Sequence, residues 1–166
     1  MKLQYLFSYQ AELEKTLKVG RGNFGVRDIF RITGGKVWRE DIDGEAEDGK
    51  EISGRVLPLG GDFQLTDSNG IFHINVRLVI ETHDGVNIFT HYTGIADMTG
   101  VLEALKTRGQ TDFGEKYFVT RPVLETGHAN YQWVNTAVCV AEGRAAAPRT
   151  VEYRVYQCVP TANFPV

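Results

Sequence analysis

From Val56 to Gly94, apolar and polar residues alternate with a period of two, as expected for strands that bury one face. The run from Ile71 to Thr82 is the cleanest. Phe72, Ile74, Val76, Leu78 and Ile80 point one way, and His73, Asn75 and Arg77 the other. Asn69-Gly70 and Asp84-Gly85 separate the runs and predict type I′ hairpin turns, whose two central residues both need positive φ. The apolar face requires a core. The polar face is either solvated or the lining of a cavity, and function turns on which.

The rest of the chain continues the strand pattern. Lys2 to Leu13 reads as a strand with Leu3, Tyr5, Phe7 and Tyr9 on one face. Val19 to Gly25 reads as a glycine-rich loop. No Gly-Lys-Ser/Thr and no apolar helix follow Gly20-x-Gly22, so a plain loop is favoured over a phosphate cradle. Val26 to Val37 is a second strand, with a bulge or bend at Gly34-Gly35. Trp38 to Lys50 is acidic and reads as a solvated loop. Asp41, Asp43 and Asp48 do not have calcium-loop spacing. Ile52 to Leu57 resumes as a strand. The spacing of Val101, Leu102 and Leu105 predicts a helix near 97–108, capped by Asp97 or Thr99 and ended by Gly109. Tyr117 to Leu124 reads as a strand that Pro122 marks as an edge or bulge. Tyr131 to Ala141 reads as a long strand, and Val151 to Val159 as the last one. This is an all-β pattern: residues 1–166 form a single domain, a closed antiparallel up-and-down β-barrel of about eight to ten strands or a sandwich, with one short helix. Short turns in a long meander favour the barrel, and a barrel of about eight strands can hold a small ligand.

The composition fits a small globular domain. Of 166 residues, 42% are hydrophobic and 23% charged, enough for one sizeable core. The net charge of −3, with no basic block, weighs against a nucleic-acid partner. No apolar run approaches about 18 residues, so no membrane-spanning helix is expected. The N-terminus lacks an apolar leader segment and reads as a strand, so a cytoplasmic protein is expected. Cys139 and Cys158 fit reduced thiols better than a disulfide.

The candidate chemistry falls in two groups. Arg77, mid-strand, needs an anionic partner if it faces a lumen, and Asp62 one strand away could supply it. The functional reading has Arg77 holding a ligand carboxylate or enolate, with Gln64, His73, Asn75 and His91 nearby. The structural reading is a solvated arginine or a plain Asp62–Arg77 pair. In the second group Glu125 or His128 would act as general acid or base at a barrel mouth. Trp133 would stack on a flat substrate, and Tyr131 or Asn135 would orient an oxygen. Here the structural reading is a turn with an aromatic plug. His73, His83, His91 and His128 lack metal-ligand spacing, and no cofactor motif or nucleophile elbow is present.

Three segments add a resemblance. They are Thr33-Gly-Gly35; Gly54-x-Val56-Leu-Pro58-x-Gly60-Gly-Asp62-Phe-Gln64 continuing through Asp67-x-x-Gly70, Arg77 and Thr82-x-Asp84-Gly85; and Tyr117-Phe-x-Thr120-x-Pro122, Glu125-Thr-Gly127, Tyr131-x-Trp133-x-Asn135 and Tyr153-x-Val155-Tyr156. In order and spacing the chain resembles the uncharacterised family of domain of unknown function 3237. The resemblance implies a one-domain antiparallel β-barrel and brings no established reaction. This chain departs from the family pattern in having Phe63 where the family has tryptophan, a Gly-Gly pair displaced by Leu59, and a long acidic insert at Asp41 to Lys50.

Two functional expectations follow. One is a cofactor-independent lyase, isomerase or cyclase acting on an aromatic or polyketide-like carbonyl compound, with Asp62, Arg77, Glu125 and His128 as catalytic candidates. The other is a non-catalytic carrier of small molecules. The enzyme gains if His73, Asn75 and Arg77 line the lumen, and the carrier gains if Phe72, Ile74, Val76 and Leu78 do. The expected partner is a small organic molecule. The chain is expected to be a monomer, or a homodimer through the Tyr117 to Val119 strand.

Overall fold

The computed structural model describes residues 1–40 and 50–161. Asp41, Asp43 and Asp48 of the expected acidic loop therefore lie outside the described residues. The strands are β1 (Lys2–Leu13), β2 (Leu17–Gly22), β3 (Gly25–Trp38), β4 (Gly54–Asp62), β5 (Leu65–Thr66), β6 (Ile71–Thr82), β7 (Asn87–Asp97), β8 (Phe118–Glu125), β9 (Cys139–Ala147) and β10 (Thr150–Val159). Helix α1 (Val101–Arg108) follows β7, and a 3-10 helix (Ala129–Thr136) follows β8.

All pairings are antiparallel. The sheet runs β3–β4–β6–β7–β8–β9–β10–β1, and pairing of β1 with β3 closes it into a ring. β2 and β5 are appendages on β3, β5 also pairing β6. Closure leaves the strands of the ring without a long free edge. The narrowest seam is β8–β9, paired only at Val119–Glu142 and Thr120–Ala141. It stops before Pro122, which has no N–H to offer a ladder.

Register decides which faces look inward. Directly paired residues share a face, and Phe30–Asp62–Val76–Tyr92 form one row across β3, β4, β6 and β7. Ile74, Val76, Leu78 and Ile80 are buried in the core, while His73 and Arg77 are exposed. The apolar face of β6 is thus the inner face. Burying such aliphatic side chains contributes about 1.5–3 kcal/mol each.

Four local expectations are corrected. The hairpin turns are not type I′. Gly70 (φ 80°) and Gly85 (φ 83°) have positive φ, whereas Asn69 and Asp84 do not. Gly85 N–H donates to Thr82 O and Thr82 N–H to Val86 O, giving a three-residue loop with glycine in the left-handed position. The glycine-rich stretch from Val19 forms most of β2, whose glycines sit on an exposed hairpin arm. Helix α1 starts at Val101 without a side-chain cap, because the Asp97 carboxylate accepts from Thr99 N–H in the turn before it. The long strand expected from Tyr131 begins only at Cys139. Residues 129–136 coil instead, with Tyr131 and Val134 buried at a helical spacing of three.

Candidate functional site

One end of the barrel encloses a cavity of about 190 Å³. Its lining is mostly apolar and includes Phe30, Phe72, Ile74, Val76, Phe118 and Val151. Asp62, Gln64, Tyr92 and Tyr153 supply polar groups, and Arg149 and Thr150 stand with helix α1 residue Leu105 toward the rim. Tyr92 and Tyr153 are buried and Arg149 is exposed, so the cavity deepens from the β9–β10 turn toward the tyrosines.

Asp62 shares the inward face of Val56, and a bulge in β4 sets it beside Val76. Val56 pairs Ile80 and Gly60 pairs Leu78, so β4 inserts two extra residues and keeps its parity. Gly60 has φ 97°, and a Cβ there would lie 2.0 Å from Arg77 O, so only glycine lets the strands close up again. Gly61 then shares the outer face of Arg77, and Asp62 the inner face of Val76. Asp62 Oδ1 accepts from Asn75 N–H at 3.0 Å. Burial pushes its pKa up to about 6, against the lowering effects of that hydrogen bond and of Arg27. Gln64, also buried, donates from Nε2 to Thr66 Oγ1 at 3.2 Å.

Beneath the cavity three tyrosines pack as a cluster. Tyr9 and Tyr153 stack with centroids 5.0 Å apart, Tyr92 meets Tyr153 edge-on at 5.4 Å, and Phe118 meets Tyr153 edge-on at 5.3 Å. The Tyr9 hydroxyl is buried without a hydrogen-bond partner. Burial holds all three phenols protonated well above the ordinary tyrosine range, and the Asp62 charge adds to this.

Of the first group of candidates, the cavity contains Asp62 and Gln64. Arg77 is exposed on the outer face, where its Nη1 donates to Asn75 Oδ1 at 3.3 Å. It makes no pair with Asp62, because adjacent register positions, Gly61–Arg77 and Asp62–Val76, put the two on opposite faces. His73 is exposed and pairs Asp67 through Nε2 at 3.0 Å. His91 lies across from Arg77 and stacks on Phe89, whereas His73 lies across from Ile95, so the two histidines do not face each other. Asn75 is half-buried, outward, and touches Asp62 only through its backbone.

The second group gathers at the opposite end. Val76, beside Asp62, and Thr82 in the far hairpin are six residues apart on β6, about 20 Å along the strand. There Tyr131 Oη donates to Asp84 Oδ1 at 2.9 Å, and Asn135 bonds reciprocally with the backbone of Thr126 at 2.9 Å. His128 caps the 3-10 helix, its Nδ1 accepting from Asn130 N–H. Glu125 is exposed beside Phe89, and Trp133 is half-buried with Lys50 5.9 Å above its ring. Asp84 is held below the usual carboxylate range by hydrogen bonds from Thr82 and Tyr131. These contacts tie a plug to the β6–β7 hairpin and close that end, so Glu125 and His128 do not stand over the cavity.

Cys139 and Cys158 are unpaired, and burial pushes the Cys139 thiol up to about 11, too high for a nucleophile near neutral pH. Among the described residues no three His, Cys, Asp or Glu side chains gather to hold a metal ion. No helix among them is long and apolar enough to cross a membrane. The residues that sequence reasoning missed are Tyr9, Tyr92, Tyr153 and Arg149. Parity could have found Tyr92, which shares the alternation of Ile88 and Thr90 on β7.

Solved structures share this architecture. A conserved protein of unknown function from Rhodopseudomonas palustris is 34% identical, with a TM-score of 0.77 over 94% of this chain and 96% of its own. A beta-barrel like protein from Acinetobacter baumannii is 28% identical, with a TM-score of 0.73 over 94% of both chains. An enzyme from Penicillium herquei shares the fold at 17% identity and a TM-score of 0.60, covering 94% of this chain and 92% of its own. The family model described as protein of unknown function, DUF3237, matches residues 1–158. With its closed antiparallel ring and a match over nearly its whole length, the chain belongs to the DUF3237 family.

Proposed function

We propose that the barrel binds a small, mainly apolar carbonyl compound in its lumen and that Asp62 moves a proton on it. The observation that carries this reading is one carboxyl, titrating near 6, set in an apolar cavity beside neutral phenols. A base with a raised pKa is matched to proton abstraction next to a carbonyl near neutral pH. The Tyr92 and Tyr153 phenols, which keep their protons, are donors for the oxyanion that forms when that proton leaves. Return of the proton to another carbon gives isomerisation, its delivery to a departing β-substituent gives elimination, and its delivery to the oxygen of an internal carbonyl that the enolate attacks gives ring closure, each without a further reactant.

The test is deuterium wash-in at the benzylic carbon of phenylacetone, a ketone sized for the cavity. Wild-type protein should accelerate wash-in, and Asp62→Asn should lose at least about 100-fold of that rate, within the range general-base catalysis contributes, while still binding the ketone. Equal rates in the two proteins would remove Asp62 from this role. The apolar lining favours a second reading, a non-catalytic carrier. That reading expects the ketone to bind wild type and variant equally, with no wash-in from either.

A further inference from the structure

The cavity lining contains two charged side chains, Asp62 and Arg149. Asp62 sits on the mid-sheet row with Val76 and Tyr92, while Arg149 sits on the rim, in the two-residue turn Pro148-Arg149 between β9 and β10. Arg149 has φ 62° and is the one non-glycine residue among those described with positive φ. Glycine or asparagine would take that conformation with less strain, so an arginine here is a costly choice for a turn. The turn is fixed by Leu13 N–H, which donates to Arg149 O at 2.8 Å and ties the rim to the end of β1. No described carboxylate lies within ion-pairing distance of the guanidinium; Arg77 and Arg121 also lack one but hydrogen-bond Asn75 and Thr93 on the outer face, whereas Arg149 lines the cavity. A cation held in a strained, anchored turn at the rim of an apolar cavity, with no partner among the described residues, is placed for an anion that arrives with the ligand.

We infer that the lumen's ligand is an amphipathic carboxylate, whose anionic end Arg149 binds at the rim while its apolar body enters between Phe30, Phe72 and Val151. This rests on the lumen reading of the preceding subsection and names the substrate class for it. A single guanidinium matches a monoanion and offers a planar carboxylate two parallel hydrogen bonds. The cavity also sets a size. Its volume of about 190 Å³ slightly exceeds that of a cavity of about 150 Å³ that holds benzene. The body is therefore one ring, or a short branched chain, with a small appendage.

Calorimetry with phenylacetate and its neutral isostere phenylacetamide tests this. Wild-type protein should prefer the carboxylate by about tenfold or more, as expected for charge-assisted hydrogen bonds. Arg149→Asn keeps a residue that tolerates the left-handed turn. It should abolish the preference while phenylacetamide affinity stays within about twofold. High salt should narrow the preference in wild type. If phenylacetamide binds but wild type shows no preference, or Arg149→Asn retains it, the role of Arg149 is overturned and the lumen reading stands. If neither compound binds at millimolar concentration, the lumen reading falls and this inference with it.

Discussion

The inward carboxyl of Asp62 couples stability to pH. Its folded pKa of about 6 lies above the ordinary carboxylate value, so between those two values the folded chain holds more protons than the unfolded chain. The contribution of Asp62 to stability is therefore greatest below the ordinary range, falls as pH rises to about 6, and is level above it. That displacement corresponds to at most ~3 kcal/mol, and partial access to water at this half-buried position brings the expected effect to about 1–2 kcal/mol. Asp62→Asn keeps an oxygen for Asn75 N–H. It should raise stability at about pH 7.5 by that amount and flatten the acid-side slope. Urea unfolding at about pH 5 and about pH 7.5 measures both. An unchanged midpoint at the higher pH would mean that the carboxyl is solvated. The residue-scale site was half legible in the sequence. Asp62 and Gln64 were named, but Arg77 was expected beside them, because one strand's alternation fixes two faces without saying which is concave. Which face is concave follows from the closure of the ring, and the bulge at Gly60 sets which inward residue of β6 stands beside Asp62; local periodicity reports neither.

Glycines separate two kinds of element. Gly85 has φ 83° and open space where a Cβ would lie, so Gly85→Ala should cost only about 1–2 kcal/mol, the penalty of a left-handed alanine. Gly60 has φ 97° and Arg77 O where its Cβ would be, so Gly60→Ala should cost at least about 3 kcal/mol and disturb Asp62. Thermal unfolding of the two variants side by side gives the contrast, and similar losses would contradict the bulge. At this scale the strands were legible wherever period two was long, as in β6 and β10. The 3-10 helix was not. Tyr131, Trp133 and Asn135 alternate as a strand would, but Tyr131 and Val134 are the residues that bury, and only the hairpin they cover reveals it. β2 was concealed by Gly20 and Gly22, residues that speak for loops wherever neighbouring strands are unknown.

Ring closure draws on both ends of the described chain. On the outer face of β1, β10 and β9, Gln10 Nε2 donates to Glu152 Oε2 at 2.6 Å and Arg144 Nη2 to Glu152 Oε1 at 3.0 Å. Glu152 is 4% exposed, and Phe113 lies under the guanidinium of Arg144. Glu152→Ala would leave Arg144 half-covered and unpaired. It should lower stability by about 3 kcal/mol, a Tm loss of about 10 °C for a domain of this size, and a loss under about 2 °C would show that the seam does not depend on this triad.

The place of β1 between β3 and β10 has a consequence for biosynthesis. Lys2 pairs with Val159 and Glu12 with Thr150, so β1 meets one of its neighbours only when β10, more than a hundred residues later, has been made. A nascent chain can zip β3 through β9 locally, yet it carries an unpaired β1 edge until then, and no stepwise order of hairpins avoids that interval. The ring therefore closes late, and its exposure to edge-to-edge association lasts until β10 has emerged from the ribosome.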